Sequence, residues 1–281
     1  MKKITILFAF LFVSAFTYAQ IASPAASPSS KIEQAVGLTD VTIEYARPSM
    51  KGRTIFGDLV PYGKLWRTGA NARTKITFSN DVTIGGKDLK KGTYALFTIP
   101  NQNQWEVILY TEYQANGAPR ELDESKVAAR FNTTPMVTSM ARESFTIEIA
   151  SLSNSGATIF LLWDKVRVPI NFTVPTDKEV MANIERAMSG PSSSDFFTAA
   201  MYYYDEGKDI GKAKEWMEKA MAGNQNPAFW QLRSQSLIYA KAGDKKQAIE
   251  TAKKSLAAAQ AAGNADYVKM NQDSLKEWGA N

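Results

Sequence analysis

The sequence predicts an α+β chain: a jelly-roll-like antiparallel β-sandwich at residues 31–175, then a helical repeat unit at residues 176–281. Three observations lead there. From Lys31 to Val174 the apolar residues recur with a period of two. Glycine- and asparagine-rich turns separate these runs at hairpin spacing, with no helical pattern between them. After Pro175 the period changes to 3.6.

The strands follow in order. Val41, Ile43 and Tyr45 alternate with Thr42 and Glu44, and Ile76 and Phe78 alternate with Thr77. Val82 and Ile84 flank Thr83 and run into the Gly85-Gly86 turn. Tyr94 to Ile99 ends at Pro100, and Trp105 to Tyr110 follows after a polar turn. Phe145, Ile147 and Ile149 alternate again, followed by Thr158 to Trp163 and Val166 to Val174. Between Ala115 and Thr134 two readings stand: a helical turn at Asp123 to Arg130, or a strand at Val127 to Phe131.

Six helices are expected in the tail. Thr176-x-x-Glu179 has the form of a capping box for the first, and Gly190-Pro191 breaks the chain after it. Asn226-Pro227 reads as an N-cap with proline at N1 for the fourth, and Asp244 with Gln247 as the cap of the fifth. Tyr204, Ala213, Met217 and Ala220 recur 35 residues later as Tyr239, Ala248, Ala252 and Ser255. Large residues late in one helix and small ones in the next resemble the tetratricopeptide pattern in degenerate form. Two copies fall below the number that stack stably alone, so they are expected to be capped or docked.

Lys2 and Lys3 precede an uncharged apolar stretch from Ile4 to Ala19, the pattern of a signal peptide over residues 1–19 with cleavage before Gln20. The stretch is shorter than the roughly 20 residues of a spanning helix. No later segment is apolar enough to span, so a periplasmic or extracellular protein without a membrane span is expected after cleavage. Removal of the leader leaves 31 basic and 28 acidic residues. Residues 20–30 are Pro/Ala/Ser-rich and uncharged, and read as a flexible linker.

The chain has no cysteine and no histidine. That excludes disulfides, thiol chemistry, Ser-His-Asp triads and HExxH zinc helices. Serine-lysine S-x-x-K spacing, Walker and dinucleotide glycine loops and calcium loops are also missing, so no cofactor and no metal are expected. Nucleic acid is a poor partner for so modest a charge without a binding motif.

Chemistry concentrates between Arg47 and Lys75, where seven basic residues face one acid, Asp58. Glycines and prolines make this a long, specified loop between strands, where binding sites tend to lie. Arg47, Lys51, Arg53 and Arg67 could hold an anion, with Ser49, Thr68 and Asn71 as neutral partners and Tyr62 and Trp66 as a flat wall. The bland alternative has the arginines pinning the loop to carbonyls while Trp66 is core.

The same loop resembles a known family. Tyr45-x-Arg-Pro-Ser49, Lys51-Gly-Arg53, Leu59-Val-Pro-Tyr-Gly63 and Trp66-Arg-Thr-Gly-Ala-Asn71 are similar to the hallmark of domain of unknown function 2911. The likeness continues through Ile84 to Lys87, Gly92 to Tyr94 and Leu96 to Pro100, and ends near Val174. It implies a β-rich domain in secreted bacterial proteins, often followed by tetratricopeptide-like helices, and brings no activity with it.

Function is therefore expected to be non-catalytic: binding or assembly, with an Arg/aromatic pocket for an anion or glycan end and helical repeats for a protein partner. The rival is a hydrolase of envelope or dietary glycans working through carboxylates and arginine. Glu106, Glu112, Glu121, Asp123, Glu124 and Glu148 are available, but no spacing singles out a pair.

Overall fold

A computed structural model describes residues 23–188 and 190–280. The signal peptide reading and the first residues of the linker lie outside them. Two compact units divide between Pro175 and Thr176.

The first unit is two antiparallel sheets. Its strands are β1 (Ser29–Val36), β2 (Thr39–Ala46), β3 (Thr74–Phe78), β4 (Val82–Ile84), β5 (Lys87–Leu89), β6 (Gly92–Ile99), β7 (Trp105–Tyr110), β8 (Val127–Thr133), β9 (Met136–Ser153) and β10 (Gly156–Thr173). One sheet runs β1-β2-β3-β6-β7-β8 and the other β5-β4-β10-β9. Alternation sends Val41, Ile43, Ile76, Leu96, Val107 and Leu109 inward from the larger sheet. Phe145, Ile147, Ile159, Leu161 and Ile170 meet them from the smaller. Tyr45 ties the two, with its hydroxyl accepting from Ile147 N at 3.0 Å.

β6 and β7 are apolar on both faces. Ala95, Phe97, Ile108 and Tyr110 form a second cluster with Leu65, Tyr113 and Leu122. Arg73, 6% exposed, clamps the segment over it. Its guanidinium donates to the carbonyls of Glu112 and Gly117 and lies 5.4 Å from the Phe97 ring centroid. Of the two readings of Asp123 to Phe131 the strand holds, and the helical turn read to Arg130 shrinks to three residues because Val127 to Arg130 pairs with β7. Glu124–Lys126 is one 3-10 turn capped by Asp123, and β8 starts at Val127.

β1 begins at Ser29, inside the stretch read as a linker, because Ser29 to Val36 pairs along β2 from Ala46 to Thr39. The sequence run Thr158–Trp163 and the run from Val166, as far as Thr173, belong to one strand, β10, broken by register shifts near Asp164.

The second unit is six helices: α1 (Thr176–Ala187), α2 (Ser193–Asp205), α3 (Ile210–Met221), α4 (Phe229–Lys241), α5 (Lys245–Ala261) and α6 (Ala265–Glu277). The repeated small residues Ala213, Ala220, Ala248, Ala252 and Ser255 are buried, which allows each helix pair to close tightly. α4 starts later than the Asn226-Pro227 signal suggests. Its N-cap is Ala228, whose N–H donates to the Gln231 side chain at 3.0 Å. On the last pair, Arg233 donates to Met270 O at 3.0 Å, and buried Asn271 donates to Ser255 Oγ at 2.9 Å. These bonds fix α6 against α4 and α5, as the cap expected for a short array.

Candidate functional site

The loop from Arg47 to Arg73 bridges the sheets. Its start is fastened to β9: Phe145 N donates to Pro48 O at 2.9 Å and Met50 N to Glu143 O at 2.8 Å. Its end is fastened to β6 by a reciprocal pair, Trp66 N to Thr98 O at 2.8 Å and Thr98 N to Trp66 O at 3.0 Å. Trp66, 9% exposed, then inserts into the core. It stacks on Trp163 at 5.9 Å and meets Phe145, Phe56 and Trp105 edge-on at 5.2 to 6.3 Å. Each such ring pair contributes about 0.5–1.5 kcal/mol beyond its burial. This cluster is the rigid floor of the loop.

Above it lies a cavity of about 420 Å³. Of the nine residues singled out from the sequence, six line it: Ser49, Lys51, Arg53, Trp66, Arg67 and Asn71. The other three lie elsewhere. Arg47 donates from Nε to Phe145 O at 3.0 Å and from Nη2 to Thr146 Oγ1 at 2.8 Å, which locks the loop to β9. Thr68 is fully buried, 3.0 Å from Thr98 Oγ1. Tyr62 packs on Gly57, which has φ +93°, and a Cβ on that glycine would stand 2.9 Å from the ring. Trp163 of β10 and Ala26 and Ser27 ahead of β1 also line the cavity. Trp163 reads in the sequence as ordinary strand core. Ser27 sits in a stretch with no pattern, where its carbonyl accepts from Asn71 Nδ2 at 3.2 Å.

The charges of this loop are unevenly answered. Lys75 pairs with Glu44 at 3.6 Å. Among the described residues, Arg47, Lys51, Arg53, Lys64 and Arg67 form no ion pair with a carboxylate. Arg53 donates from Nε to Met50 O at 2.9 Å and from Nη2 to Ser49 O. The Arg67 Nε is buried and has no hydrogen-bond partner. Three residues of the lining or its immediate frame, Lys51, Thr68 and Asn71, have positive φ of 49°, 55° and 58°. For a β-branched residue such as Thr68 this conformation costs roughly 1–2 kcal/mol. The lining presents the cations Lys51, Arg53 and Arg67 above the aromatic cluster, with the Glu143 carboxylate accepting from Lys51 N at 2.8 Å, the Asn71 amide donating to Ser27 O and the Ser49 hydroxyl 2.9 Å from Ser144 Oγ.

A β-sandwich with a long basic loop pinned across its two sheets, followed by paired helices, is the class of protein these features define. Residues 27–172, just over half of the chain, match the family described as Protein of unknown function (DUF2911), and the chain belongs to that family. No curated protein and no solved structure matches the chain. No helix among the described residues is long and apolar enough to cross a membrane.

Proposed function

We propose that the protein is an exported binding module whose loop cavity holds a small oxyanion, free or as the acid end of a larger ligand such as a glycan. Export rests on the leader pattern at residues 1–19. The observation that carries the cavity is Arg67: its Nε is buried and unpartnered, beside Lys51 and Arg53. An unmade hydrogen bond at a buried polar group costs about 1–3 kcal/mol, and a carboxylate, sulfate or phosphate would supply it. Trp66 exposes only 9% of its surface, so the acid group rather than a sugar face is the part recognised. The lining brings donors and positive charge together. It does not bring together the two facing carboxylates that glycoside hydrolysis uses. To the helical unit we assign a protein partner, because stacked helix pairs present extended surfaces to other chains.

Thermal melting with sulfate, phosphate and uronic acids tests the cavity, on the wild type and on Arg67→Ala. The wild-type midpoint should rise with at least one anion. Arg67→Ala should keep its fold and bind that anion about tenfold more weakly, the loss of one charge-assisted hydrogen bond. If no anion raises the wild-type midpoint and Arg67→Ala lowers it, the arginines are scaffolding and the reading falls.

A further inference from the structure

The 35-residue repeat shows which face of a helix pair accepts its predecessor. It places Tyr203 of α2 in register with Ile238 of α4, and Trp216 of α3 with Thr251 of α5. In the second pair that face is covered. Ile238 is fully buried in one cluster with Ala199, Ala200 and Met217 of the first pair, and Thr251 is 8% exposed. In the first pair Tyr203 and Trp216 are also buried, at 6% exposed each, whereas Met181, Ile184 and Met188 of α1 and Phe196 of α2 pack on them only half-buried. Asp177 anchors α1, with Lys208 Nζ at 2.5 Å and the Tyr202 hydroxyl at 2.9 Å. Between α1 and the pair lies an open groove of about 870 Å³. Met181, Ile184 and Met188 form one wall, and Phe196, Tyr203 and Trp216 the other. Methionine walls adapt readily to an apolar guest.

The rim is basic. Lys212 stands 4.9 Å from the Trp216 ring centroid, and Lys219 stands 5.5 Å from that of Phe196. Lys219 is paired with Glu215, whereas Lys178 and Lys212 form no ion pair among the described residues. Of the acids on the rim, Asp177 is already bonded to Lys208, which leaves Glu185.

We propose that this groove takes one amphipathic helix of a partner protein, in the place a second helix of a preceding pair would hold. Its apolar face would lie on Met181, Ile184 and Phe196, and its carboxylates would face Lys178 and Lys212. This rests on the reading that the helical unit has a protein partner, and it names the site and the chemistry.

The test is calorimetric titration of the whole exported chain with two synthetic helical peptides of about four turns. Both carry leucines at i, i+3, i+4 and i+7; one is flanked by glutamates and the other by lysines. The glutamate peptide should bind about tenfold more tightly at low salt, with the gap narrowing as salt is added. Lys212→Glu, a change at an exposed side chain, should weaken it about fivefold or more. Ile184→Asp should remove binding, with hydrogen exchange in α1 and α2 no longer slowed by the peptide. Failure of the glutamate peptide to bind, or equal affinity for both peptides, overturns the proposal. If the glutamate peptide binds but ignores both substitutions, the helical unit still binds helices while this groove is not the site. Self-association of the chain that Ile184→Asp abolishes would seat a second copy in the groove and also overturn it.

Discussion

At the residue scale, backbone conformation and buried donors shape the first unit more than any exposed side chain does. Thr68 sits in the left-handed region because both its ends are held: its carbonyl accepts from Thr74 Oγ1 at 2.6 Å, and its hydroxyl lies against Thr98. That constraint turns Arg67 toward the cavity and Trp66 toward the core. Gly85 is the clearest single-residue requirement. It has φ +57° in the two-residue turn between β4 and β5, and Phe131 of β8 lies flat against it. An added Cβ would stand 2.0 Å from Phe131 Cγ. Gly85→Ala should therefore destabilise the protein by about 2–4 kcal/mol, from overpacking plus left-handed strain. Denaturant unfolding measures it. A loss below about 0.5 kcal/mol, typical of a neutral surface site, would show that Phe131 does not close the sandwich there. The glycine pair announces the turn, but nothing local announces the ring that covers it.

At the element scale, α2, α3, α5 and α6 start at local side-chain caps, α4 starts two residues beyond its signal, and the strands end where their partners do. Ser192 and Asp195 form a reciprocal capping box that opens α2, and Asp209, Asp244 and Asn264 accept from backbone N–H groups of α3, α5 and α6. These caps are local, so they are visible in sequence. β1 has only two large apolar residues, Ile32 and the buried Val36, and exists because β2 offers it an edge. α1 depends on Asp177. The Lys208 ammonium first, and then the Tyr202 hydroxyl, hold its carboxyl below the usual aspartate range. Its contribution is thus complete above the unfolded aspartate value and is lost as pH falls through the lower folded one. Hydrogen-exchange protection of α1 should stay level from about pH 7 to 5 and decline below about pH 4. Asp177→Asn should flatten that decline. An unchanged decline in the variant would mean that another group controls α1.

At the scale of the whole molecule, the chain is two units with separate cores. A chain ending at Pro175 keeps both sheets and every residue of the loop cavity. It should fold with a sheet-rich circular dichroism spectrum and a cooperative melt, and a disordered spectrum would mean that the sandwich requires the helices. Charge is divided just as sharply. Residues 176–281 hold 14 basic and 14 acidic side chains, while the loop from Arg47 to Lys75 holds seven basic and one acidic. The sequence by itself determined the order of sandwich then helices, the change of period at Pro175, the repeat and the position of the basic loop. Each is written in contiguous residues, through alternation, capping or composition. Only the tertiary structure decided that Arg53, Arg67 and Asn71 share a cavity while Arg47 and Thr68 brace its frame. It likewise decided that Trp163 and Ser27 line that cavity, and that a groove opens beside α1. The physical reason is pairing at long range. Where a side chain points depends on which strand lies opposite, and Arg47 finds its acceptors 98 and 99 residues away along the chain.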